Sequence, residues 1–250
     1  WNEWIAFKTD YGDGKSAFVD LCDMEFSRDM EMMKDGYGDN FYLQNMLNTR
    51  KFKNVKETTY RASKTSPKSL LDVWDGARNY LDIVGDALER DWYDATRKES
   101  NRLKNNTNRN DIVKTEITDD GEYLYVKVTT KDDIIVDEST FNNLNILLSV
   151  QGQSGNKWEG YNYIVNRIPT AIGGNLTAIE KVSANGKFEW TKAADCQSVL
   201  TGKTFAVKIA LSDLGISGGE FTIDFKVADG IKNIVLQPEE KAAAIMALSD

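Results

Sequence analysis

The sequence predicts a mainly β protein, an antiparallel β-sandwich of jelly-roll or immunoglobulin-like kind preceded by a small helical segment. Three observations predict it. Short runs after residue 69 alternate apolar and polar residues with a period of two, as strands with one buried face do. Asp-Gly and Asn-Gly pairs separate several of these runs, and such pairs favour tight hairpin turns. A capped pattern of helical spacing stands before residue 53.

The first region, residues 1–53, opens on Trp1-Asn2-Glu3-Trp4, where two indoles flank an amide and a carboxylate. Indoles are costly to leave in water, so this cluster implies packing partners. Residues 1–7 read as the end of a buried strand, followed by the loop Asp10-Tyr11-Gly12-Asp13-Gly14. Phe18-Val19-Asp20 and a charged stretch over 25–34 come next. Asp39 reads as an N-cap, and Leu43, Met46, Leu47 and Arg50 recur at helical spacing, which predicts a helix over about 40–51. One helix and one strand fragment cannot bury their own apolar faces, so the region is expected to be the tail end of a larger domain.

Residues 54–68 are polar and basic, with Ser66-Pro67, a linker composition. Residues 69–236 carry the sandwich. Asp119-Asp120-Gly121 divides two alternating runs, and Asn185-Gly186 divides two more. Phe205, Val207, Ile209 and Leu211 share one strand face. Phe221, Ile223, Phe225 and Val227 share another, with Thr222, Asp224 and Lys226 opposite. Residues 142–150 read as a more central strand. Leu70, Leu71, Trp74, Ala77, Leu81, Val84 and Leu88 fit helical spacing, so propensity alone predicts a helix within 69–97. Residues 237–250 are an Ala-rich tail.

Composition excludes several function classes. The net charge of −8 disfavours nucleic acid and anionic membrane surfaces, both of which attract basic patches. No apolar run approaches a membrane span. Cys22 and Cys196 stand far apart, without metal or disulfide spacing. With no histidine in the chain, Ser-His and Cys-His pairs and imidazole metal sites are removed. Catalysis would fall to Asp, Glu, Tyr, Lys or Arg.

Two stretches resemble known families. Trp1-Asn2-Glu3-Trp4, Phe18-Val19-Asp20, Glu25-Phe26-Ser27-Arg28-Asp29 and Gly38-Asp39-Asn40-Phe41-Tyr42 resemble the C-terminal end of a glycoside-hydrolase-like TIM barrel, whose pattern often has His where Tyr37 stands. The helical segment would then be a remnant of an α/β barrel. The second stretch resembles a family-9-like carbohydrate-binding β-sandwich. Its carriers are Trp74-Asp75-Gly76, Asp91-Trp92, Asn108-Arg109-Asn110-Asp111-Ile112, Tyr123-Leu124-Tyr125-Val126, Trp158-Glu159-Gly160-Tyr161-Asn162-Tyr163, Asn166-Arg167 and Asp224-Phe225-Lys226-Val227-Ala228-Asp229. This second resemblance implies a first strand over 77–84 in place of the helix, then an irregular stretch to Arg109. It departs after Asp229, where a closing strand is expected over 231–236.

These resemblances imply a noncatalytic module that binds polysaccharide or oligosaccharide beside a glycoside hydrolase, outside the cell or on its surface. Aromatic rings stack on sugar C–H faces while amides and guanidinium groups bond hydroxyls. Trp158, Tyr161, Tyr163, Asn166 and Arg167 are the expected contacts, with Trp92 and Tyr93 beside them. Trp190 and at least one of the tyrosines are expected in the core. The alternatives are a hydrolase acting on β-glucan or xylan, and a structural spacer. Hydrolysis needs paired carboxylates, for which Glu3, with Asp20, Asp23 or Glu25, is the candidate set. No cofactor is required. Modules of the resembled kind often hold structural calcium, for which Asp119-Asp120, Asp132-Asp133 and Asp137-Glu138 are candidate ligands.

Overall fold

The computed structural model describes residues 7–8, 17–18, 45, 48–55, 62, 64–87, 90–93, 102–105, 107–136, 143–168 and 174–230. The chain divides into two compact units. One comprises Trp1–Thr59, Leu88–Thr107 and Ile234–Gln237, the other Tyr60–Ala87, Asn108–Asn233 and Pro238–Asp250.

In the first unit, β1 (Phe7–Lys8) pairs antiparallel with β2 (Ala17–Phe18). Of the helix expected over 40–51, residues 45 and 48–52 are helical, and the Lys53 N–H donates to the Thr49 carbonyl at 2.9 Å. These pieces do not show a barrel remnant. Glu3, Asp20, Asp23 and Glu25 lie outside the described residues. So do the expected closing strand over 231–236 and the Ala-rich tail.

The second unit is built on one antiparallel sheet, and its first strand is β3 (Arg78–Leu81). The helix that propensity favours over 69–97 does not form. Leu70 and Trp74 instead tuck onto the sheet against Tyr125 and Ala206, while Leu71, Val73, Leu81, Ile83 and Val84 stay exposed. Gly76 and Gly85, with φ of 82° and 93°, break the segment on either side of β3, and pairing with β6 satisfies the β3 backbone groups on that side. The stretch after β3 carries a separate hairpin in the first unit, β4 (Arg90–Tyr93) with β5 (Arg102–Asn105), so it is not irregular throughout.

The remaining strands follow the turn signals. They are β6 (Ile112–Asp119), β7 (Tyr123–Thr130), β8 (Leu144–Val150), β9 (Tyr163–Val165), β10 (Leu176–Val182), β11 (Trp190–Thr201), β12 (Thr204–Ala210) and β13 (Ile223–Asp229). The sheet order is β13-β8-β9-β10-β11-β12-β7-β6-β3. Asp119 and Asp120 accept the N–H groups of Gly121, Glu122 and Tyr123, which closes the β6–β7 turn. The predicted linker ends against that turn: Thr65 N–H donates to the Asp119 carbonyl at 2.9 Å, and the Ser66 hydroxyl donates to Asp120 at 3.3 Å.

Strand β11 curls the sheet. Its residues 190–197 pair with β10 and its residues 197–201 with β12. The two halves so joined share a core. Val126, Val128, Phe205, Val207 and Ile209 come from one half, and Ile146, Leu148, Val165 and Ile179 from the other. The ends of the strand order also meet, where the rings of Tyr80 on β3 and Phe225 on β13 stand edge to face with centroids 4.9 Å apart. Strand β8 is buried along its whole length. Leu144, Ile146, Leu148 and Val150 face the shared core, while Leu147 lies under a second apolar cluster on the opposite face.

Candidate functional site

The second cluster is assembled around the segment expected to bind sugar. Trp158 and Tyr161 exchange both backbone hydrogen bonds, N to O at 2.9 and 2.8 Å. Between them Glu159 and Gly160 take φ of 48° and 94°, the two positive values that a tight two-residue hairpin turn needs. The loop before this turn is fastened to the β10–β11 turn. Asn156 Nδ2 donates to the Ser183 carbonyl at 2.8 Å, and the Gly186 N–H donates to the Lys157 carbonyl at 2.7 Å.

These bonds swing Trp158 inward onto Leu147, Ile164, Val182 and Ala228. Only 4% of it is exposed. Phe188 and Trp190 meet its ring edge to face, at centroid distances of 4.7 and 6.2 Å. A ring so enclosed cannot lie against a pyranose, so here Trp158 acts as a packing anchor, not the expected stacking platform. Trp190 is partly buried against the same cluster, and its Nε1 is enclosed without a hydrogen-bond partner among the described residues.

Tyr161 closes the bridge to Trp158 before β9 begins at Tyr163, so the two tyrosines do not share a face as residues two apart on one regular strand would. Tyr163 turns into the shared core and its hydroxyl donates to Gln153 Oε1 at 3.3 Å. Tyr161 stays partly exposed beside the second cluster. Burial, then the carboxylates of Asp224 and Glu159, raise its hydroxyl pKa. Lys157, Ser149 and Asn162 form a hydrogen-bonded chain nearby on the sheet: Lys157 Nζ donates to Ser149 Oγ at 3.3 Å, and Ser149 Oγ to Asn162 Oδ1 at 3.2 Å.

Asn166 and Arg167 serve the fold rather than the surface. Asn166, fully buried with φ of 67°, donates from Nδ2 to the Leu144 carbonyl at 2.6 Å and accepts the Thr177 hydroxyl at 3.1 Å. Arg167 makes a two-point ion pair with Glu180, Nε to Oε2 at 2.5 Å and Nη2 to Oε1, and the Glu180 side chain is buried. Trp92 and Tyr93 lie on β4, opposite Leu103 and Arg102, so they belong to a strand and not to a loop.

The acidic turn at Asp119-Asp120 is occupied by its own hydrogen bonds. Burial raises the Asp120 pKa, but hydrogen bonds from Tyr125, Tyr123, Glu122 and Ser66 outweigh it and hold the carboxyl below the usual aspartate value. Among the described residues no group of three His, Cys, Asp or Glu is placed to hold a metal ion. Asp137 and Glu138 lie outside them.

On the face of the sheet turned away from the shared core, β6, β7 and β12 carry a groove of about 230 Å³ beside the 69–75 segment. Leu71 and Val73 form its apolar wall, over Lys114, Glu116, Lys127, Thr129 and Thr204. Glu116 accepts from Lys114 at 3.0 Å and from Lys127 at 3.1 Å, so its charges are largely paired off.

The surface that emerges is thus an aromatic edge of Tyr161, Phe188 and Trp190 flanked by Glu159 and Asp224. Sequence reasoning missed Phe188 and Asp224 as members. The signals were the Asn185-Gly186 turn just before Phe188, and the polar face of β13 that carries Asp224. Comparison with family models, curated proteins and solved structures finds no match for this chain. The barrel and carbohydrate-binding resemblances therefore rest on the residues quoted for them.

Proposed function

We propose that the sandwich is a noncatalytic carbohydrate-binding module, an accessory to a glycoside hydrolase, that takes polysaccharide on the edge formed by Tyr161, Phe188 and Trp190. The observation that carries this reading is the partial exposure of three clustered rings beside two carboxylates. Aromatic ring faces stack on the C–H faces of sugars. Glu159 and Asp224 are hydrogen-bond acceptors for hydroxyls, and Trp158 beneath them holds the rings in place.

Migration in native gels containing soluble glycans tests it. Wild-type protein is expected to be retarded by at least one glycan. Tyr161→Ala is expected to bind roughly tenfold more weakly, as loss of about 1.4 kcal/mol of contact implies. Unretarded migration on a broad panel would sink the reading.

A structural spacer is the second reading. It is favoured by the burial of Trp158, Tyr163 and Asn166 and by the pairing of Arg167, since four expected ligand contacts hold the fold together instead.

A further inference from the structure

We propose that the open edge of β3 is a self-association site, where two copies of this chain pair their β3 strands antiparallel about a two-fold axis at Tyr80.

Strand β3 ends the sheet order, and among the described residues no strand pairs with its outer side. The Asp82 N–H donates to the Val113 carbonyl at 3.1 Å, which fixes the phase of the ladder with β6. In an antiparallel ladder alternate residues turn their backbone groups to the same neighbour. Arg78, Tyr80 and Asp82 therefore bond toward β6, while Asn79 and Leu81 present N–H and carbonyl groups outward. Such a row is a template for another strand. The strand carries no proline, and its register with β6 runs without a bulge, so neither device blunts the edge.

Side-chain exposure marks the same edge. Leu81 is 80% exposed, and Ile83 and Val84 follow it at 61% and 62%. Asn79 and Leu81 share the sheet face of Glu116 and Lys114, their register partners, while Tyr80 turns to the other face and meets Phe225. A single exposed aliphatic side chain is ordinary, but three within four residues leave apolar surface where a strand would dock.

The residues of the edge point to its occupant. In a two-fold contact, residues at equal distance from the axis on opposite sides must suit each other. With Tyr80 on the axis, Asn79 lies opposite Leu81 of the second copy. Their outward backbone groups exchange two hydrogen bonds, and the symmetric pair exchanges two more. Arg78 lies opposite Asp82 of the second copy, so a cation meets an anion at both ends of the paired strands. Asp82 is exposed, and its Oδ1 accepts the Ile83 N–H at 2.9 Å, which steadies the carboxylate at the edge. The two Leu81 side chains become diagonal neighbours on one face and cover each other. An arbitrary strand would supply the backbone bonds without both charge pairs. The contact is small, so the dimer is expected to be reversible, with a Kd in the micromolar range.

Sedimentation velocity of the intact chain, from micromolar to millimolar concentration, tests the proposal. Wild-type protein is expected to pass reversibly from monomer to dimer. Asp82→Arg sets like charges against each other at both ends and is expected to raise Kd about tenfold. Arg78→Asp is expected to do the same, and Arg78→Asp together with Asp82→Arg to restore the dimer. Leu81→Lys is expected to abolish association with an unchanged thermal midpoint, since the side chain is exposed. Arg78 also lies over the Tyr80 ring of its own chain at 5.8 Å. If its variants do not fold, Asp82→Arg and Leu81→Lys decide alone. A monomer at every concentration overturns the proposal and leaves the edge to an extended segment of a different protein. A dimer whose Kd is unmoved by Asp82→Arg and Leu81→Lys overturns it too, since the contact would lie elsewhere.

Discussion

Trp158→Ala is expected to destabilise the sandwich by about 3–5 kcal/mol, the usual cost of deleting a large buried ring. The whole stability of a domain is about 5–15 kcal/mol, so the loss takes a large share of it. The cost has identifiable parts. Leu147, Ile164, Val182 and Ala228 lose the surface that covers them, and Phe188 and Trp190 lose the ring against which both are set. Strands β8, β9 and β10, which carry Leu147, Ile164 and Val182, are each paired on both sides, so the site cannot collapse freely into the cavity. Urea unfolding measures the change as a lower midpoint at unaltered slope. A wild-type midpoint combined with lost glycan retention would return Trp158 to the ligand surface.

Arg167→Ala is expected to cost a similar amount, about 3–5 kcal/mol, for a different reason. The substitution leaves the Glu180 carboxylate buried without its cation, and an uncompensated buried charge is far more costly than the pair is favourable. The setting offers little relief, because the Glu180 side chain is only 2% exposed and water has little access to it. Replacing both partners together, Arg167→Met with Glu180→Leu, removes the charge problem and is expected to recover most of the loss. Thermal unfolding of the two single variants and the double variant gives the coupling directly. Arg167→Ala with near-normal stability would show that the guanidinium is not structural.

The legible parts of this fold were those set by local chemistry. Gly121 and Gly186 occupy positions with φ of 91° and 72°, so the pairs that contain them marked their hairpins correctly. The Phe205, Val207 and Ile209 alternation marked an inward strand face, and the stretch over 142–150, read as a more central strand, contains β8, which is buried throughout. The segment around Leu70 and Trp74 misled because a four-residue spacing suits a helix face as well as a strap laid across a sheet. Only the pairing of β3 with β6 distinguishes them.

The site was less legible because its members are placed by partners remote in sequence. Trp158 reads as a sugar contact, yet the 183–187 turn pins the loop before it and turns the ring inward. Asn166-Arg167 looked like a polar surface pair. Their partners, Leu144 and Glu180, lie on the strands to either side, and nothing local to the pair reveals them. The resembled motifs Asn108-Arg109-Asn110-Asp111-Ile112 and Asp224–Asp229 meet through Arg109, Asn110 and Asp229, a contact between segments that the sequence separates widely.

The central claim is that glycan is taken on the Tyr161–Phe188–Trp190 edge. Nuclear magnetic resonance of the six tryptophan indole N–H signals during titration with oligosaccharides tests it most directly. The Trp190 indole N–H, enclosed within a ring that is itself only partly buried, is expected to shift with saturation as sugar covers that ring, while the Trp74 indole N–H, held on the Ser69 carbonyl in a separate cluster, stays fixed. No indole movement with any oligosaccharide, or movement of Trp74 without Trp190, would contradict it.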